Sequence, residues 1–217
     1  SGGFDLIVGN PPWLKVEWEE KELIGDYDPM VLIRKVSASE LTAPSFQLMN
    51  QNGENIELDS FKGKKVILEW TNHDCPFVQR HYETSNMQNL QEKYTEEGVI
   101  WLSIISSAEG KQGYVSPDEA IELTNARSAK PSHVLFDTSG EVGKMYKAKT
   151  TPHMYIIDEN QKLQYQGAID NMGRTGALFN TDLSKAKNYV VAAMNDLANG
   201  LSVQESKTRP YGCSIKY

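Results

Sequence analysis

The chain carries two thiols, Cys75 and Cys213, and the first stands where a thiol becomes reactive. The apolar run Val66-Ile-Leu-Glu-Trp70 reads as a strand, Thr71–Asp74 as a loop, and Cys75-Pro76-Phe77-Val78 as the opening of a helix. A thiol at a helix N-terminus meets unpaired backbone N–H groups and the positive end of the helix dipole. Both favour the thiolate, the form that attacks disulfides and peroxides. Pro76 suits the first helical turn, where its missing N–H costs nothing. A lone cysteine is more often a small buried hydrophobe, but this strand-loop-Cys-Pro-helix setting favours the reactive reading. Arg80 or His73 could hold the thiolate by charge, and Arg127 is a more distant cation. For both arginines the ordinary alternative is a solvated position on a helix face.

The elements that must hold Cys75 follow from the pattern around it. Phe46–Asn50 and the stretch to Leu58, joined through Asn52-Gly53, read as a hairpin. Val78, Tyr82, Met87, Leu90 and Tyr94 recur at helical spacing, so one helix is expected from Cys75 to Glu97-Gly98. Val99–Ile105 is a continuous apolar strand of the kind buried on both faces in a parallel pair. Ser116-Pro117-Asp118-Glu119 combines an N-cap, a first-turn proline and first-turn acids, and so opens a helix through about Arg127. Ser132–Phe136 is a strand and Gly140–Ala148 a short helix. Thr151-Pro152 introduces the strand His153–Asp158, with a hairpin to Leu163–Ile169. Asp170–Thr181 is a long loop, and Ser184–Asn199 is the last helix. The order β-β-β-α-β-α-β-α-β-β-α predicts an α/β fold with a mixed sheet.

Composition bounds the function. The hydrophobic content of 39% and charged content of 24% are those of a globular protein, and 217 residues bury a core without disulfide staples. A net charge of −7 argues against a large basic face for nucleic acid. No apolar run approaches the ~20 residues of a membrane span. The N-terminus lacks the basic flank of a signal peptide, which gives a cytoplasmic expectation. Residues 1–41 hold eight acidic and four basic side chains, a net of −4 against −3 for the remainder, and form no evident core of their own. Thr42-Ala-Pro44 marks the expected boundary between this appendage and a domain over 44–217.

Asn72-His73-Asp74-Cys75-Pro76-Phe77-Val78 resembles the Asn-His-Cys-Pro-Phe-Val motif of thioredoxin-fold, peroxiredoxin-like redoxins, with Asp74 as an extra residue. Thr151-Pro152 is similar to that family's cis-proline position, and the ending Tyr211-Gly-Cys213-Ser-Ile-Lys resembles the tail of the group. The resemblance implies a thioredoxin-like central sheet flanked by helices over about 44–217. It also implies redox chemistry at Cys75, with Pro152, Thr151, Asn72, His73 and Pro76 around it. The implied substrate is a hydroperoxide or a disulfide, and the implied reductant an external thiol such as thioredoxin or a small thiol. Periplasmic or secreted relatives are compatible with it. Cys213 stands open between resolving partner and separate tail thiol. Two departures matter: Val78 occupies the second cysteine position of the thioredoxin motif, and Leu68 and Asn72 occupy the proline and Thr/Ser positions of true peroxiredoxins, with Thr71 one residue out of register. A non-catalytic thioredoxin-like binding or scaffold domain is the alternative they support.

No cofactor is implied, and His73, Cys75, His81 and His153 show no spacing diagnostic of a metal, even if the fold gathers them. Phe4-Asp-Leu-Ile-Val-Gly-Asn10-Pro11-Pro12-Trp13 resembles the catalytic motif of N6-adenine DNA methyltransferases, whose asparagine and prolyl carbonyl bind a flipped adenine. That resemblance covers only about residues 3–41 and lacks the cofactor-binding half, so it implies a vestigial fragment without methyl transfer.

Overall fold

The strand that leads to Cys75 becomes an interior strand of a seven-stranded sheet because its side chains, Glu69 aside, are apolar on both faces. In a computed structural model, residues 41–173 and 182–217 are described. Its elements are β1 (Gln47–Asn50), β2 (Asn55–Glu57), β3 (Val66–Trp70), α1 (Pro76–Glu83), α2 (Asn86–Glu96), β4 (Ile100–Ile105), α3 (Pro117–Ala126) and β5 (His133–Phe136). They continue with α4 (Glu141–Met145), β6 (Thr150–Thr151), β7 (His153–Ile157), β8 (Leu163–Gly167), α5 (Tyr189–Ala198) and β9 (Cys213–Ser214). The sheet order is β2-β1-β5-β4-β3-β7-β8, with β6 and β9 forming a separate two-stranded ladder. β3, β4 and β5 run parallel, whereas β1 and β7 flank them antiparallel. All described residues belong to one compact unit.

The period of two along each strand divides the core. Ile67, Trp101, Met154, Ile156 and Tyr165 face α1, α2 and α5, where Val78, Tyr82, Met87, Leu90, Val190 and Met194 pack on them. Leu68, Trp70, Leu102, Ile104, Leu135 and Tyr155 face the other way, against Phe46, Leu58, Val142 and Tyr146. A smaller cluster of Ile105, Val115, Ala120 and Val134 seats α3.

The structure corrects the expected helices in two places. The single helix expected from Cys75 to Glu97 is two, because Ser85 takes a left-handed conformation at φ 58°. Thr84 Oγ1 donates to the Arg80 carbonyl and Gln88 Nε2 to the Tyr82 carbonyl, so Thr84-Ser85-Asn86 meets its polar needs locally instead of extending the helix. The last helix begins at Tyr189, not Ser184, because the Asn188 side chain accepts from Val191 N and caps it there. The two-residue pair β6–β9 was absent from the expected order; strands so short leave no period to read. The expected strand at Phe4–Val8, the stretch Asn10, Pro11, Pro12 and Trp13, and residues 174–181 of the expected 170–181 loop lie outside the described residues.

Candidate functional site around Cys75

Cys75 is the N-cap of α1, extended at φ −80° and ψ 120°, with Pro76 at the first position of the helix. Its own carbonyl accepts the Val78 and Gln79 N–H groups, and its N–H donates to the Asn72 carbonyl at 3.1 Å. The chain is bent into this entry by Asn72, whose Oδ1 accepts Asp74 N at 2.9 Å while its Nδ2 donates to the Gln112 carbonyl at 3.2 Å. Asn72 is 1% exposed. Gly113 makes room for it: a Cβ there would sit 2.3 Å from the Asn72 side chain. Asn72 thus spends both ends of its amide on the loop geometry that leads into Cys75.

The Cys75 thiol is fully buried and donates to the Thr151 carbonyl at 3.1 Å. The Thr151–Pro152 peptide is cis, and Thr151 and Pro152 are both buried. Thr151 is also the register partner of Cys213 in the β6–β9 ladder. Cys213 packs at the edge of the hydrophobic cluster that contains Cys75, and neither cysteine is in a disulfide. The fold therefore brings Cys75 and Cys213 to the same residue, Thr151, beside Pro152, while Pro76 is exposed at the start of α1.

The tail reaches this place through close contacts. Gly212, at φ +146°, lies so near Thr151 that a Cβ would be 2.0 Å from its carbonyl oxygen. The Tyr211 ring meets Phe77 edge-on at 6.0 Å between centroids, and its hydroxyl donates to Asp170 Oδ1. Beyond Cys213, Ile215 N donates to the Lys149 carbonyl and the Lys216 carbonyl accepts from Ala108 N. Tyr217 closes the run, its hydroxyl donating to the Ala148 carbonyl.

The charged residues are placed differently from expectation. Arg80 is not a solvated helix-face arginine: it is 7% exposed, and its three guanidinium nitrogens have no hydrogen-bond partner among the described residues. Arg127 stacks its guanidinium 4.2 Å over the Tyr82 ring and donates from Nε to the Leu123 carbonyl. His73 is half-buried, with Nε2 at 3.2 Å from Asp74 Oδ1. His81 lies 3.9 Å from Asp170 Oδ2; burial is the largest influence on it and lowers its pKa to about 4, against the pull of Asp170. Burial likewise lowers His153 to about 3, with Lys149 acting in the same direction. His153 shares its strand face with Tyr155, opposite α1, α2 and α5, so strand alternation keeps it from joining Cys75 and His81. Among the described residues, no three His, Cys, Asp or Glu side chains come together as a metal site.

Sequence reasoning passed over the polar group beneath the site. Glu69, fully buried on β3, accepts from Trp101 Nε1 at 2.9 Å, Ser103 Oγ at 2.9 Å and Gln91 Nε2 at 3.2 Å, with the Tyr82 hydroxyl at 3.4 Å. Thr71 lies two residues along the same face, 5% exposed, and its hydroxyl has no partner among the described residues. It lines a cavity of about 20 Å³ with His73, Tyr82, Ser103 and Arg127, room for about one water. A glutamate inside an apolar strand was the available signal for this network. Asp170 and Tyr211 had none, since their partners are 41 residues apart.

A mixed sheet with helices on both faces, and a cysteine at a helix N-terminus beside the Thr151–Pro152 segment, make a thioredoxin-like α/β fold. Residues 40–166 match the AhpC/TSA family profile, and the chain belongs to that family. The match does not reach residues 3–39, and the methyltransferase resemblance there is not borne out. The thiol-disulfide oxidoreductase ResA of Bacillus thuringiensis subsp. konkukian is 28% identical over 121 residues, 56% of this chain and 64% of that protein. The thioredoxin-like protein YneN of Bacillus subtilis is 30% identical over 124 residues, 56% of this chain and 66% of that protein. The chain thus spans just under two thirds of the length of these curated relatives. A crystal structure of an uncharacterized conserved protein from Geobacillus kaustophilus superposes with TM-score 0.68 at 27% identity, covering 82% of this chain and 90% of that one. A hypothetical protein from Sinorhizobium meliloti gives TM-score 0.68 at 22% identity over 81% of this chain and 92% of that one, a likeness of fold. No helix among the described residues is long and apolar enough to cross a membrane.

Proposed function

We propose that the chain is a thiol-dependent oxidoreductase in which Cys75 attacks the oxidant and Cys213 resolves the product. The observation that carries this reading is the shared position of Thr151: its carbonyl accepts the Cys75 thiol at 3.1 Å, and its backbone pairs with Cys213. With a disulfide substrate, the Cys75 thiolate forms a bond to one sulfur and the other leaves as a thiol after taking a proton. The Cys213 thiolate then attacks the Cys75 sulfur of the mixed disulfide, releasing the second thiol and leaving a Cys75–Cys213 disulfide. With a hydroperoxide, the first step gives an alcohol or water and a Cys75 sulfenic acid, and attack by Cys213 expels the hydroxyl as water. In either case two electrons pass to the substrate and an external thiol reductant restores the pair. The likeness to a thiol-disulfide oxidoreductase supports the disulfide route. Asn72 stands where a peroxide-orienting hydroxyl is expected and spends its amide on Asp74 and Gln112, which gives the hydroperoxide route less support.

The test is thiol-driven reduction of a model disulfide and of a hydroperoxide by the full chain, Cys75→Ser and Cys213→Ser. Loss in both variants is expected for two-cysteine cycling. Full activity in Cys213→Ser would leave a one-cysteine route with an external thiol. A second reading, a non-catalytic binding domain, is favoured by the complete burial of Cys75, since buried structural cysteines are inert. Absence of turnover in the wild type, with Cys75 resistant to alkylation in the folded state, would establish it.

A further inference from the structure

The tail does more than carry Cys213, because two of its residues fix where the sulfur can go. We propose that Tyr211 and Gly212 are positioning residues for the resolving step, with Asp170 as the anchor that holds Tyr211. This rests on the two-cysteine reading above and names the device that makes it fast.

Tyr211 is 7% exposed, in edge-on contact with Phe77, which lies two residues after Cys75 on α1. Its hydroxyl donates to Asp170, itself 3% exposed and oriented by Met172 N, which donates to the same Oδ1. An aromatic ring and one directional hydrogen bond thus tie the tail to the helix that carries Cys75 and to the chain after β8. Gly212 supplies the other constraint. At φ +146° it presents bare backbone to Thr151, and any side chain would collide with the Thr151 carbonyl that accepts the Cys75 thiol. The next residue, Cys213, is therefore delivered opposite Thr151 in antiparallel register. Anchor, close approach and thiol occupy three successive positions.

Resolution is an intramolecular displacement: a Cys213 sulfur bonds to the Cys75 sulfur while a thiol leaves the mixed disulfide, or hydroxide leaves a sulfenic acid. Its rate depends on how often the two sulfurs are held in line, so the loss of a positional restraint slows this step and leaves the first attack unchanged.

The test follows both steps in the full chain after mixing with a model disulfide, by acid quench and mass mapping. Loss of the Cys75 thiol reports the first step, and the Cys75–Cys213 link reports the second. Tyr211→Phe keeps the ring on Phe77 and removes only the bond to Asp170. We expect it to slow the second step about tenfold with the first unaltered, and Gly212→Ala to slow it more. Asp170→Asn retains an acceptor and should stay near wild type, whereas Asp170→Ala should match Tyr211→Phe. Tyr217→Phe loses another tail hydroxyl contact, to the Ala148 carbonyl, and serves as the control for general loosening. Equal second-step rates in wild type and Tyr211→Phe, or an equal slowing by Tyr217→Phe, would overturn the proposal. Should Gly212→Ala not fold, Tyr211→Phe and the Asp170 pair decide it. A wild type that never forms the Cys75–Cys213 link would instead remove the two-cysteine reading itself.

Discussion

At the scale of single residues, the burial of ionisable groups sets the behaviour that can be measured first. Glu69 has no contact with solvent, and Trp101, Ser103, Gln91 and Tyr82 all direct donors at it. Removing the carboxylate leaves the Trp101, Ser103 and Tyr82 donors buried and unpaired, while Gln91 keeps the Tyr82 hydroxyl, so Glu69→Ala is expected to cost about 3 kcal/mol or more in urea denaturation, and Glu69→Gln less. A loss below about 1 kcal/mol in Glu69→Ala would show that the network is relaxed by water. His81 and His153 are held neutral, with pKa values lowered to about 4 and about 3 from 6.5. In the unfolded chain each takes a proton as pH drops below 6.5, while the folded protein resists until those lower values. Their contribution to stability is therefore complete above pH 6.5 and is lost as pH falls through about 4 and then about 3. The unfolding free energy should decline toward acid in this window by up to about 1.4 kcal/mol per pH unit for each histidine. His153→Gln should make the decline shallower, and an identical slope in that variant would contradict the assignment.

At the scale of elements, local chemistry decides where helices start, and packing decides what they carry. The α3 N-terminus is closed by Ser116 Oγ accepting Glu119 N at 3.3 Å, with Glu119 Oε2 accepting Ser116 N at 2.8 Å. Ser116→Ala should lower stability by about 1 kcal/mol and leave redox activity intact, as read by thermal melting and turnover together. The loop before α1 depends on a different kind of restraint. Gly113 combines φ +87° with no space for a Cβ beside Asn72. Gly113→Ala is expected to displace the Asn72 amide and with it the entry to Cys75. Cys75 alkylation should then accelerate in the folded protein, whereas unaltered alkylation would separate Asn72 from the placement of the thiol.

At the scale of the whole molecule, the C-terminal tail connects parts of the site that are remote in sequence. It touches α1 through Tyr211, β6 through Gly212 and Cys213, the loop after β4 through Lys216, and the turn after α4 through Tyr217. Cys75 is fully buried in the same hydrophobic cluster as Tyr211. Deleting residues 211–217 should therefore make Cys75 react faster with iodoacetamide while abolishing any intramolecular disulfide. The far-UV spectrum should stay native, because the seven-stranded sheet uses no tail residue. An unaltered alkylation rate after deletion would locate the cover over Cys75 elsewhere.

Most of the order of strands and helices, the mixed sheet, the Cys-Pro helix start and the Ser116 cap were legible in the sequence, but the break at Ser85 and the β6–β9 pair were not. Each depends on residues within a few positions of one another, through periodicity or a local hydrogen bond. Val66–Trp70 announced a buried strand because its run of side chains is almost wholly apolar. What the sequence left undecided were properties of pairs far apart: whether Arg80 is solvated, where Glu69 finds its donors, and whether Cys213 approaches Cys75. These follow from which face of β3 a side chain takes, from the break at Ser85, and from a tail that reaches Thr151 only because residue 212 has no side chain. That Cys75 opens a helix, with Pro76 after it, was determined by sequence. That Cys213 lies beside the same Thr151 backbone was decided only by tertiary structure, since the two thiols are 138 positions apart and only the folded chain brings both there.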